Sequence, residues 1–222
     1  MPIPKALEPT GVVLVDKPAG PSSFQIVARV RGRTGAKTGH AGTLDPFATG
    51  LLVLLSGRAT SLQDRFMRLD KRYLTDVDLR SRTTTGDPEG DLVEEHEPPS
   101  RQELESALEG LRGEVELPIP AASAVKIGGE RAYRLHRQGV VVEMPTRVMR
   151  VHGLELVAYG DGIVTLDLHV GSGTYVRSIA DALGGHCSTL RRTEIGPFRV
   201  EEADEERIVP LAEALPRLAA AR

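Results

Sequence analysis

One cysteine, Cys187, is the only thiol in the 222-residue chain, which excludes an internal disulfide and leaves no partner thiols for a zinc site. We read it as a structural thiol. Aromatic residues are scarce, at 4% with no tryptophan. No stretch approaches the roughly 18 apolar residues of a membrane span, and MPIPKALEPTG at the N-terminus has no apolar run like that of a secretory signal. Low-complexity tracts and fixed-period repeats are also missing, which argues against a fibrous, disordered or solenoid protein. What remains is 40% hydrophobic and 27% charged residues, the profile of an ordinary globular protein. We expect one domain spanning residues 1–222, no membrane association and a cytoplasmic location.

The net charge of −3 hides a segregated pattern. Arg29, Arg31, Arg33 and Lys37 form one basic segment, and Arg65, Arg68, Lys71 and Arg72 a second. Arg131, Arg134, Arg137, Arg147 and Arg150 form a third, and Arg191, Arg192 and Arg199 a fourth. The carboxylates concentrate in residues 87–97, 103–116 and 201–206. Any one basic run is ordinarily a solvated helix face, but four together allow one basic face and one acidic face.

Periodicity gives a coarse outline. GVVLV (residues 11–15) reads as a buried strand closed by turn chemistry at residues 16–20, and Ser22 or Ser23 can cap a helix that follows as far as Arg31-Gly32. LLVLL (residues 51–55) reads as a second buried strand, residues 58–68 as a helix, and residues 73–79 as a half-exposed strand. Ser100 and Glu103 make a capping box for a helix to about residue 111. Residues 133–138 suit a short helix, 148–158 and 163–170 suit strands, 175–183 a helix ending at Gly184-Gly185, and 209–221 a last helix. Strands separated by helices without a regular repeat suggest an α+β fold with a mixed sheet.

The segment that carries chemistry is GHAGTLDPFATG, residues 39–50. Its three glycines let the backbone turn and approach a ligand closely. Pro46 biases Asp45 towards an extended conformation that projects its carboxylate. Taken alone, an Asp-Pro pair does no more than nucleate a turn in about as many cases. This segment, however, closely resembles the catalytic signature of the TruB-type tRNA pseudouridine synthases, and the resemblance continues in order through DKPAGPSS (residues 16–23), DKRY (70–73), SAVK (123–126), GTYVRSI (173–179) and LRR (190–192).

The resemblance implies a pseudouridine-synthase fold, with a mixed, largely antiparallel central sheet flanked by helices. It implies that Asp45 is the catalytic aspartate, attacking ribose C1′ or removing the C2′ proton while the uracil is detached and rejoined through C5. Tyr73 matches the tyrosine that stacks on the displaced base, and Arg177 the arginine that pairs with the catalytic aspartate. Tyr175 is expected to support the pocket wall and Leu190 to pack on the other side of the base. His40 invites a general-base reading because histidine titrates near neutrality, but the resemblance points to a ring that fills space left by everted nucleotides. Lys17, Pro18 and Asp16 are expected to be scaffold.

The substrate implied is uridine 55 in the T-arm stem-loop of tRNA, flipped into a pocket while basic residues, among them Lys71, Arg72, Arg131, Arg134 and Arg191, grip phosphates. Residues 123–150 match a thumb-like RNA-binding insertion. The expected cofactor and metal requirement is none, and the expected state is a monomer without an obligate protein partner. Many members carry a C-terminal PUA domain, which is expected to be absent here, and the stretch between Arg177 and Leu190 is shorter than in many relatives. The alternatives are an RNA-guided synthase acting on other RNA, and a tRNA chaperone in which Asp45 is incidental.

Overall fold

The computed structural model describes residues 9–220. The chain forms a mixed, mostly antiparallel central sheet with six α-helices among the described residues, the α+β fold expected. It divides into two compact units, the described residues of Met1–Leu74 with Leu190–Arg222, and Thr75–Thr189.

The first unit opens with β1 (Gly11–Lys17), α1 (Ser23–Thr34), β2 (Thr38–His40) and β3 (Thr49–Ser56). β1 and β3 pair antiparallel from Gly11 with Ser56 to Lys17 with Gly50. Both strands are apolar without alternation because both faces are covered. Val12, Leu14, Leu51, Val53 and Leu55 pack against Phe66 and Phe198 on one side. Val13, Val15, Leu52 and Leu54 pack against Ile26, Val27 and Val30 of α1 on the other. Each such side chain contributes about 1.5–3 kcal/mol by leaving water.

In β1 and α1 two boundaries differ from expectation. β1 continues through Asp16 and Lys17 instead of turning, because the buried Lys17 amine finds carbonyl partners at Pro18 and Pro46. Helix α1 passes through Gly32 to Thr34, its Val27 and Val30 face being held in the core against a glycine penalty of about 1 kcal/mol.

A 3-10 turn (Gly57–Leu62) and α2 (Gln63–Met67) share the span read as one helix, and β4 (Lys71–Asp78) alternates buried and exposed positions as its sequence does. In Thr75–Thr189 the chain adds the hairpin β5 (Ser81–Thr83) and β6 (Leu92–Glu95), then α3 (Arg101–Gly110), where the Ser100–Glu103 capping box forms. Next come β7 (Gly113–Pro118), the short pair β8 (Lys126–Ile127) and β9 (Glu130–Arg131), and α4 (Ala132–Arg137). The long strand β10 (Thr146–Gly160) pairs antiparallel with β7 and with β11 (Ile163–Val170), and α5 (Val176–Ala182) follows.

β12 (His186–Ile195) leads back into the first unit, where Arg191 and Arg192 pair parallel with Thr49 and Gly50 of β3. β13 (Phe198–Arg199), β14 (Asp204–Pro210) and α6 (Leu211–Ala220) complete the chain, with β14 antiparallel to β1. The last helix thus begins two residues later than expected, Val209 belonging to β14. Residue 221 of that expectation lies outside the described residues.

Candidate active site

Asp45 sits on the loop between β2 and β3, half-buried, and its neighbours are tied down one after another. Ser22 caps α1 by accepting from the Gln25 N–H at 3.3 Å, which leaves Ser23 for another task. The Ser23 hydroxyl, 2% exposed, donates to the Leu44 carbonyl and accepts from the Leu44 N–H, each at 2.8 Å. Arg192, 1% exposed, donates to the carbonyls of Gly42 (3.1 Å), Thr43 (3.3 Å) and Leu51 (2.8 Å). The Lys17 amine and the Gly20 N–H donate to the Pro46 carbonyl at 3.1 and 2.9 Å, and the Ala48 N–H donates to the carbonyl of Asp45 at 3.2 Å. The backbone also needs two left-handed glycines. Gly42 has φ +120° and Gly50 φ +99°, and a Cβ on Gly50 would lie 2.2 Å from the Arg192 carbonyl oxygen.

The strands beside this loop carry two further candidates. β12 is the neighbour of both β3 and β4, and the Thr193 hydroxyl donates to the Arg72 carbonyl at 3.2 Å. Leu190 and Tyr73, buried at 7% and 8% exposure, therefore sit on adjacent strands, Leu190 on the strand next to β3, where the Asp45 loop enters, and Tyr73 one strand further on. His40 ends β2. Burial and then the Arg192 guanidinium hold its pKa below the ordinary histidine value. Its buried Nδ1 has no hydrogen-bond partner among the described residues.

Arg177 belongs to the other unit. It lies in the first turn of α5 at 4% exposure, donating to the carbonyls of Thr85 (2.7 Å) and Ala122 (3.0 Å), with Asp87 Oδ2 3.2 Å from its Nη1. Asp87 is itself fixed, its Oδ1 accepting from the Thr85 hydroxyl at 2.6 Å and the Glu89 N–H at 3.0 Å. Tyr175 lies just before α5, with the Arg147 guanidinium 5.9 Å from its ring centre. Within residues 123–150, Arg134 and Arg137 lie 6.0 and 5.8 Å from the Tyr133 ring centre, and the exposed Arg131 donates to the Ala124 carbonyl.

Several RNA-gripping expectations need correction. Lys71 is 7% exposed and donates to the Met67 carbonyl at 2.6 Å and to that of Leu69. Burial first, then Arg192, pushes its pKa down to about 8. It is a buried strand-start residue, unavailable to phosphate. Arg192 is withdrawn from the fourth basic segment for the same reason. Arg191 stays part-exposed but holds Asp16 through two bonds of 3.0 and 2.7 Å. On α1, Arg29 and Arg33 pair with Glu205 and Glu206 of β14, so one basic segment and one acidic segment meet instead of occupying separate faces.

Asp87, Arg192 and Ser23 were not singled out from the sequence. Asp87 stands in an acid-rich run that looks solvated, Arg192 in a basic run, and Ser23 as one of two possible helix caps. Ser23 and Arg192 fall within the DKPAGPSS and LRR motifs, which assign them no role, and Asp87 falls within none of the motifs. Among the described residues no group of three or more His, Cys, Asp or Glu is arranged to hold a metal ion, and no helix is long and apolar enough to cross a membrane.

The fold is thus a mixed, mostly antiparallel sheet that carries an aspartate on a tightly anchored glycine-rich loop, ahead of a doubly buried strand. Residues 30–176 match the model of the TruB family pseudouridylate synthase (N terminal domain), and the chain belongs to that family. It is 43% identical over 206 residues to the tRNA pseudouridine synthase B of Mycobacterium sp. (strain KMS), covering 87% of this chain and 69% of that protein. The corresponding protein of Thermobifida fusca (strain YX) is 42% identical over 229 residues, covering 92% and 78%. Among solved structures, a chain of a Cbf5-Nop10-Gar1 complex superposes with TM-score 0.67 at 26% identity, over 95% of this chain and 55% of that one. A pseudouridylate synthase structure at 18% identity and TM-score 0.51, over 96% and 75%, shares the fold.

Proposed function

We propose that this enzyme isomerises uridine 55 in the T-loop of tRNA, in the cytoplasm, using Asp45 as the catalytic carboxylate and Tyr73 and Arg177 as the other members of the catalytic set. The observation that carries this reading is the loop of residues 39–50. Every carbonyl from Gly42 to Pro46 accepts a hydrogen bond, so the backbone on either side of Asp45 is fixed while its side chain remains part-exposed. That is the preorganisation a nucleophile or base needs. The named substrate of the relatives, tRNA, supports the choice of RNA.

The reaction breaks the N1–C1′ bond and makes a C5–C1′ bond, while a proton leaves C5 and N1 gains one, so atoms balance without oxidant or reductant. An ionised Asp45 serves at C1′ as nucleophile or at C2′ as base. The target base must leave its stack first, and residues 123–150 act as a thumb that orders on the RNA, with Arg131 and Arg134 against phosphates. No cofactor, metal or protein partner enters the scheme.

The deciding experiment incubates purified protein with unmodified tRNA transcript and maps pseudouridine, beside Asp45→Asn. We expect conversion at position 55 by the wild type alone, and RNA binding without conversion by the variant. The likeness to the Cbf5 complex favours one second reading, an RNA-guided synthase. Full conversion with no guide RNA would exclude it, and conversion by Asp45→Asn would sink the assignment.

A further inference from the structure

The five successive carbonyls from Gly42 to Pro46 are each held, and only the carbonyl of Asp45 is held from within the loop, by the Ala48 N–H. Two side chains do much of the holding. Arg192 spans the loop from before Asp45 (Gly42 and Thr43) to after it (Leu51), with three N–H donors aimed at three carbonyls. A guanidinium at 1% exposure is costly to bury unless its donors are satisfied, and among the described residues Arg192 forms no salt bridge. Its partners are these backbone carbonyls. Ser23 grips Leu44 in both directions, immediately before the catalytic residue. Neither side chain is exposed to an incoming RNA.

We propose that Arg192 and Ser23 are positioning residues for Asp45, fixing the loop backbone so that the carboxylate meets the ribose at reacting distance. This rests on Asp45 being the catalytic group. The fork of Arg192 is essential to it, because a lysine keeps the charge but concentrates its donors at one point and cannot reach carbonyls on both sides of the loop. A misplacement on the order of 1 Å costs about 100-fold in rate, and the loss falls on the chemical step instead of on binding.

The test is single-turnover conversion of an unmodified tRNA transcript by saturating enzyme, with RNA affinity and thermal melting measured on the same preparations. Arg192→Lys is expected to lower the rate constant by about 30- to 100-fold while the Kd for tRNA changes by less than about threefold. Ser23→Ala is expected to lower it about three- to tenfold. A purely structural role would reduce the active fraction and the melting temperature but leave the rate constant of the bound complex unchanged. That result for Arg192→Lys, or a loss confined to Kd, overturns the proposal. Should Arg192→Lys not fold, Ser23→Ala decides, and a rate within twofold of wild type overturns it. Asp45→Asn is run alongside. Turnover by that variant would overturn the assignment of Asp45 itself, whereas an inactive Asp45→Asn beside a fully active Arg192→Lys would refute only the positioning role.

Discussion

Replacing Asp87 by asparagine changes two atoms in a site where both partners are nearly sealed, the Arg177 and Asp87 side chains being 4% and 5% exposed. The asparagine oxygen would keep the Oδ1 contacts from the Thr85 hydroxyl and the Glu89 N–H. Its amide nitrogen would then occupy the Oδ2 position, 3.2 Å from Arg177 Nη1, setting donor against donor. Breaking a buried ion pair by removing one member costs about 3–5 kcal/mol, and the retained Oδ1 contacts place Asp87→Asn near 3. For a chain of this size about 3 kcal/mol lowers the melting temperature by roughly 6–12 °C. On the role proposed for Arg177, the loss of a group that orients it should lower turnover at least about tenfold at a temperature where the variant is fully folded. Circular dichroism melts and single-turnover conversion on one preparation measure both. A melt within about 2 °C of wild type would mean that the pair contributes little, and unchanged turnover would remove Asp87 from any part in orienting Arg177.

Lys71 should make stability depend on pH. Its folded pKa of about 8 lies below the 10.5 of a solvated lysine, so between these values the unfolded chain holds a proton that the folded chain lacks, and stability rises with pH, by about 3 kcal/mol across the window. Urea melts at pH 7.5 and 10 should show this gain in the wild type and its loss in Lys71→Met, other titrations cancelling in the comparison; parallel curves would refute it. A T-arm RNA with 5-fluorouridine at position 55 should form a tight or covalent complex, because fluorine blocks proton loss from C5 after the base is reattached. Release at the rate of ordinary substrate, followed by gel shift, would count against the proposed chemistry.

The parts of the fold legible in the sequence are those whose cause is local. GVVLV and LLVLL announce strands because burial on both faces demands unbroken apolar runs, and Ser100 with Glu103 announces a helix start because the cap is closed within four residues. β14 escaped notice because its Asp204, Glu205 and Glu206 look like a solvated run. They suit an edge strand, where charge is tolerated and discourages pairing with other chains, and here they also meet Arg29 and Arg33. The loop that carries Asp45 was legible because its glycines and proline lie next to one another in the chain, although only the family resemblance singled out the aspartate. Ser23, Arg192 and Asp87 were not, since their significance comes from partners 21, up to 150 and 90 residues away, and no pattern read along the chain encodes a contact of that span.

Charge pairing also decides which arginines can serve RNA. A cation that already faces a carboxylate attracts few counterions, so replacing it by RNA phosphate releases few, whereas an exposed arginine with no ion pair releases close to one. Arg33 is of the first kind, with Glu206 against it and Glu205 3.8 Å away. Arg134 is of the second, exposed in α4 beside the Tyr133 ring and forming no salt bridge among the described residues. On the proposed function, Arg134→Gln should therefore weaken tRNA binding and lower the slope of log K against log salt by somewhat less than one unit, about 0.7–0.9. Arg33→Gln should leave that slope nearly unchanged. Filter binding from about 50 to 200 mM salt spans a range in which several contacts differ by orders of magnitude. Equal slopes for wild type and Arg134→Gln would remove α4 from the RNA interface. A slope lowered as much by Arg33→Gln would mean that Arg33 leaves its glutamates to meet phosphate when the RNA binds.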